Sequence, residues 1–209
     1  MLAYKLTPHH AGIALWGDCS TLHRLHTFVH HVVNNSCFIS EKDGLVLGLA
    51  HDLRRAFQGQ RSTELHTVFD NERYQTYGVE ILWPVLLIQT CILRKAMAYM
   101  ACSKLDQAIM FELEHVVESA IREAIPAKAG TVIHHLQLLL GESYTSLDRT
   151  LDSRCRYFIE LPAPKRLRQL PELLETFMFD GNNTSSRRRR SIPQNAFIES
   201  NLPWPDFEW

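Results

Sequence analysis

The chain carries none of the short motifs that mark an enzyme class. It has no GxSxG elbow, no phosphate-cradling P-loop, no GxGxxG and no HExxH. The glycines of Gly12-Ile13-Ala14-Leu15-Trp16-Gly17 stand at the wrong spacing for a dinucleotide turn. Many enzymes lack a short motif, so this leaves an enzyme open while removing the commonest kinds. The five cysteines, Cys19, Cys37, Cys91, Cys102 and Cys155, are scattered, odd in number and without a CxxC pair. That pattern argues for reduced thiols in a cytosolic protein, mostly serving as core packing. Charge of one sign is also lacking. Against 23 acidic residues stand 22 basic ones, for a net charge of −1. Bulk nucleic-acid binding rests on neutralising phosphates, so a nucleic-acid partner is not expected. The opening MLAYKLTPHH shows no basic-then-apolar pattern, so no signal peptide is expected. A bilayer span needs about 20 apolar residues. The run from Ile81 to Leu93 is shorter than that and is broken by Gln89 and Thr90, so no membrane partner is expected either. There is no internal repeat.

What is present is an ordinary globular composition, 45% hydrophobic and 22% charged over 209 residues. A chain of this size buries one full core and is expected to form one domain. The most apolar stretch is Tyr77–Met100. Its first part alternates, placing Tyr77, Val79, Ile81 and Trp83 on one face of a strand. Pro84 then suits the first helical position, where its missing N–H costs nothing. Val85–Met100 reads as a helix apolar nearly all round, which belongs in a core.

The other elements are arranged around this one. Leu2–Leu6 and Gly12–Trp16 read as two short edge-forming strands about a turn. Asp18 or Ser20 caps a helix running to about Val33, with Leu22, Leu25, Val29 and Val32 as its apolar stripe. Cys37–Ile39 and Leu45–Leu47 flank an Asp43-Gly44 turn, a hairpin signal. Gly48–Phe57 reads as a short helix, and the polar, aperiodic Gly59–Thr76 as a long loop. Ser103 caps a second long helix with Leu105, Ile109, Leu113, Val116 and Ala120 on its buried side, ended by Pro126. Thr131–Leu140 is a further helix stopped by Gly141 in a left-handed C-cap. Ser146–Ile159 is helical. Beyond it, Pro171 separates two short helical pieces, Leu167–Leu170 and Glu172–Met178. These elements predict an α+β fold: a mainly antiparallel sheet of three to five strands covered by helices, with a buried central helix. Val85–Met100 and Lys104–Ala124 are expected to pack as an antiparallel pair. The globular domain is placed at residues 1–179, with a linker and aromatic tail over 180–209.

Eleven histidines are the one compositional oddity. His23, His26 and His30 lie within about 60° of one another on a helix, and imidazoles are good ligands for zinc, copper or iron. The outer two are roughly 10 Å apart along the axis. A metal site would therefore take His26 with one neighbour and a ligand from elsewhere, such as His9, His10 or Asp18. The plainer alternative is an exposed polar face that happens to use histidine. Glu112 and His115 form the Glu-x-x-His half-motif of di-iron carboxylate bundles, but the second copy that architecture requires is absent. Glu112 falls within an apolar stripe, and a plainer role is a buried carboxylate paired with Arg94, Arg54 or a backbone amide. Glu80 interrupts the central strand. If it meets His51 and Asp52, the three form a cluster for acid–base work; otherwise it marks a solvent-facing strand position.

The tail from Asp180 begins with a linker-like Gly181–Ser186 and a basic run, Arg187–Arg190, next to Ser191. Such a run serves as a nucleic-acid grip, a localisation signal or a kinase site, yet Asp180, Glu199, Asp206 and Glu208 offset its charge. Asn182-Asn183-Thr184 matches a glycosylation sequon, without meaning in a cytosolic protein. Trp204, Phe207 and Trp209 are aromatic anchors on a Pro203/Pro205-stiffened segment. They are expected to dock, either on the chain's own domain or on a partner.

Three stretches together resemble a small bacterial family of unknown function: Tyr4–Pro8 with Gly12–Asp18, Leu49–Gly59, and Tyr77–Pro84. The resemblance covers about Met1 to Phe179. It implies a cytosolic α+β domain and no catalytic residues. The residues themselves support two functions. One is a non-enzymatic accessory domain that binds a protein partner or itself. The other is a metal-dependent, hydrolase-like enzyme using zinc or iron, built on His23, His26 and Glu112 or Glu80.

Overall fold

The computed structural model describes residues 1–67, 73–178, 192–193, 196–197 and 204–209. Four strands and seven helices occur among them. The strands are β1 (Ala3–Leu6), β2 (Gly12–Gly17), β3 (Ser62–Thr67) and β4 (Arg73–Leu82), and they form one antiparallel sheet in the order β1-β2-β4-β3. The helices are α1 (Cys19–Asn35), α2 (Leu45–Phe57), α3 (Trp83–Met97), α4 (Lys104–Ala124), α5 (Ala129–Leu139), α6 (Tyr144–Glu160) and α7 (Ala163–Glu175). The expected α+β class and sheet size hold.

The centre of the molecule is the β4–α3 unit. Val79 and Ile81 of β4 are buried, and the chain turns directly into α3, with proline in its first turn. Trp83, Leu86, Leu87, Ile88, Ile92 and Leu93 are all essentially inaccessible. An isolated helix this apolar would have no polar face to solvate; here it packs against β2 and β4 and against α1, α2, α4, α5 and α6. Helices α5 and α6 carry α7 on their outer side. Asp18 caps α1 by accepting the Thr21 N–H. Ser103 and Asp106 form a reciprocal capping box at the start of α4.

Four sequence expectations are corrected. There is no hairpin about Asp43-Gly44. Gly44 is instead the N-cap of α2, which starts at Leu45 rather than Gly48. The reason is the helical period of Val46, Leu49/Ala50, Leu53 and Ala56, which buries one continuous stripe. Gly59–Thr76 is not a loop, because it contains β3 and the start of β4. Gly141 is not left-handed: among the described residues the positive-φ glycine is Gly59, and Gly141 donates to the Leu138 carbonyl in an ordinary turn. Finally, Pro171 does not divide α7 but lies inside it, buried. The ring removes one N–H, yet its own carbonyl is used by the buried His135, whose Nδ1 lies 3.1 Å away.

The described part of the tail lies against the domain. Ile192 is buried. Phe197 packs edge-on to Tyr157 under the Arg154 guanidinium. Phe207 is half-buried against the core and beside Trp209. The Trp209 carbonyl accepts the His9 N–H at 2.9 Å, and the Glu208 carboxylate lies 3.1 Å from His9 Nδ1. Arg166 fastens this junction. It is 5% exposed and donates to the carbonyls of His9, Glu208, Ile159 and Leu161. Burial among carbonyls lowers its pKa, with Glu208 partly opposing. The linker-like run, Arg187–Arg190, Ser191 and the sequon lie outside the described residues.

Candidate functional site

The candidate chemistry gathers on the exposed side of α1, where a helix with one buried stripe leaves its histidines facing outward. The rings of His23 and His26 stand 6.0 Å apart, and those of His26 and His30 4.5 Å apart. Phe57, at the end of α2, sets its edge against His23 and His26. His26 is the inner member. Burial first, and then the nearby charges of His30, His23, Arg54 and His51, push its pKa from 6.5 down to about 4. Its Nδ1 is buried without a hydrogen-bond partner. Of the expected contributors, His9 holds the tail, Asp18 caps α1, and His10 sits in the β1–β2 turn with a positive φ. Among the described residues no three His, Cys, Asp or Glu side chains are placed to hold a metal ion. The three histidines therefore stand ring against ring along α1, and the described residues do not gather three ligands about them.

This cluster carries a pH dependence. An unfolded His26 binds a proton near pH 6.5, whereas the folded one does so only near pH 4. Between those values the unfolded state holds more protons, so stability falls as the pH drops from about 6.5 towards 4. The ring is partly reached by solvent, which limits the loss to about 2 kcal/mol. Urea denaturation at pH 7 and pH 5 should show this loss in the wild type and a smaller one in His26→Leu. Equal losses in both would place the acid sensitivity elsewhere.

The other sequence candidates separate. Glu112 does not pair with Arg94 or Arg54. One carboxylate oxygen accepts the Leu2 N–H at 2.8 Å and the other meets Arg24 at 2.6 Å, so it ties the start of β1 and α1 to α4. Arg94 instead pairs with Glu114 and donates to Gln107. Glu80 is within 3.4 Å of the Ser62 hydroxyl, and Asp52 pairs with Arg61 at 3.5 Å. His51 lies near His26. Of the tail aromatics, Phe207 faces inward, while Trp204 is 47% exposed with Arg156 over its ring and Trp209 is 36% exposed.

Sequence reasoning missed the groove beside the histidines. The Arg24–Glu112 contact and the His31–Asp106 contact at 3.9 Å show that α1 and α4 run antiparallel. Between them lies an open groove of about 910 Å³, lined by Cys19, His23, Thr27 and Phe28 of α1 and by Leu105 and Ile109 of α4. Phe28 and Ile109 form a buried floor, whereas Leu105 is 61% exposed on the lip. The one signal in the sequence is Leu105 itself. It continues the apolar stripe of α4, which predicts burial, but it stands in the first turn, where no helix covers it. No described helix is long and apolar enough to cross a membrane.

The fold and groove define a helix-rich α+β domain without an assembled set of metal ligands among its described residues. Residues 2–209 match the family described as a domain of unknown function, DUF6904, and the chain belongs to that family. The match includes the tail, which the sequence resemblance left out. No curated protein and no solved structure matches the chain.

Proposed function

We propose that the protein is a non-catalytic interaction domain that takes a helical segment of a protein partner in the groove between α1 and α4. One observation carries this reading: the exposed Leu105 stands over an apolar floor between two antiparallel helices. Two such helices offer a third amphipathic helix a trough for its i, i+3/i+4 anchors. Polar side chains frame the trough, with His23, Arg24 and His31 on the α1 wall and Ser103 and Asp106 on the other. Arg24 is already held by Glu112 and His31 stands beside Asp106, so recognition rests on the apolar anchors rather than on charge.

A display library of helical peptides selected on the purified full chain tests the reading. The expected winners carry apolar residues at i, i+3/i+4 and i+7. Leu105→Glu should weaken them at least tenfold, because it puts an unpaired carboxylate at the anchor position, while the melting temperature stays unchanged. Selected peptides that bind Leu105→Glu as well as the wild type would rule out the groove as the binding site.

A further inference from the structure

The two edges of the sheet are treated differently. At the β1 edge, α4 packs close: the Leu2 N–H is taken by Glu112, and the Tyr4 hydroxyl donates to Glu123. At the β3 edge, Ser62–Thr67 pairs with β4 in unbroken register, from Ser62 opposite Gly78 to Thr67 opposite Arg73. Among the described residues no further backbone hydrogen bond reaches it. A strand uses both edges of its backbone, so alternate N–H and C=O groups of β3 point away from the sheet. Natural edges are usually blunted by a bulge, a proline or outward lysines; β3 has a regular register and the sequence Ser-Thr-Glu-Leu-His-Thr. Leu65 in its middle is 61% exposed, and Tyr74 on β4 is 48% exposed.

The order of residues indicates what completes this edge. Thr63-Glu64-Leu65-His66-Thr67 reads symmetrically about Leu65, with an acidic residue on one side and a histidine on the other. Laid antiparallel against itself about Leu65, it sets leucine on leucine and threonine on threonine. Each Glu64, which also meets Lys5 of its own chain, then faces the second copy's His66, whose Nε2 lies 2.8 Å from its own Thr76 hydroxyl. Thr–Thr and apolar pairs are favourable cross-strand combinations, and a two-fold interface must be complementary to itself in this way. We propose that β3 is a self-association edge, and that two copies of the chain pair through it into one continuous eight-stranded antiparallel sheet, twice the four strands of one chain. This surface is separate from the α1–α4 groove, so either assignment can fail without the other.

The register makes the test specific. Directly opposed residues of antiparallel strands have Cα atoms about 4.5–5.5 Å apart, within disulfide reach, whereas pairs beyond about 7 Å are not. In full-length protein with the exposed Cys19 and Cys37 changed to serine, Leu65→Cys should oxidise to a covalent dimer. Thr63→Cys and Glu64→Cys, each displaced from its own copy, should not. Sedimentation over a concentration series should show a monomer–dimer equilibrium in the wild type. His66→Glu, which opposes two carboxylates, should weaken the dimer at least tenfold, and Glu64→His combined with His66→Glu should restore it. A chain that stays monomeric throughout the series overturns the proposal. So does a dimer that cross-links equally at all three positions or is indifferent to His66→Glu.

Discussion

Gly12→Ala is expected to cost on the order of 4 kcal/mol or more, among the largest effects of any single methyl group in this chain. A Cβ at Gly12 would stand 1.8 Å from the Ile81 carbonyl oxygen and 2.7 Å from its carbon. Both atoms belong to the backbone of β4, so no side chain can turn aside. The strand cannot slip either. The Thr7 hydroxyl both donates to the Gly12 carbonyl and accepts the Gly12 N–H, and the neighbouring Ala11 carbonyl accepts the Trp83 N–H. The methyl group must therefore separate β2 from β4 at the point where β4 becomes α3. Gly78→Ala supplies the comparison. There the obstacle is the Trp16 ring at 2.4 Å, a side chain able to shift, and the loss should be about 1–3 kcal/mol. Urea midpoints for the two variants should fall in that order. A Gly12→Ala protein as stable as the wild type would mean that β2 and β4 do not approach this closely.

Arg166→Met should destabilise by about 3–5 kcal/mol. Methionine keeps an unbranched stem and the helix propensity of arginine but has no donors. Four carbonyls, those of His9, Ile159, Leu161 and Glu208, would lose a buried charged partner at once. Two of them lie at the end of α6, where orphan carbonyls already need satisfying. Arg166→Lys should recover little, because one ammonium cannot reach acceptors spread around a planar guanidinium. Amide hydrogen exchange separates this role from general loosening. In Arg166→Met the amides of residues 204–209 and His9 should exchange faster, while those of α3 keep their protection under conditions where the protein stays folded. Unchanged exchange at His9 would show that Arg166 does not hold the tail.

The elements with one buried and one exposed face were legible in the sequence. Val79 and Ile81, the apolar helix after Pro84, the Asp18 and Ser103 caps, and the stripes of α1 and α4 follow directly from period and capping chemistry. The elements that were missed share a physical cause. Ser62–Thr67 has one open face and one only half-covered, and the half-covered face carries Ser62, Glu64 and His66, so no apolar alternation marks it. The Asp43-Gly44 pair is a turn signal that also suits a helix N-cap, and only the burial of Leu49 and Leu53 decides between them. Pro171 keeps α7 intact because tertiary contacts outweigh one missing hydrogen bond. For the site, the adjacency of His23, His26 and His30 was legible as helix geometry. The partners of Glu112 and Glu80, and the role of Arg166, were not. Those depend on which distant segments meet, as when Glu112 finds Leu2 and Arg24 rather than Arg94.

The Arg166 junction also sets an order of events during synthesis. His9 is made long before the groups that satisfy its carbonyl and its N–H, Arg166 and the Trp209 carbonyl. β2 likewise waits for β4, with α1, α2 and β3 between them. The β1–β2 hairpin is thus completed only by residues that follow it at long range, Arg166 standing 157 positions after His9. Such high contact order slows folding and leaves paired segments waiting exposed. Refolding of the full chain should accordingly be slower than its helix content alone suggests, with protection at His9 arriving in the final phase.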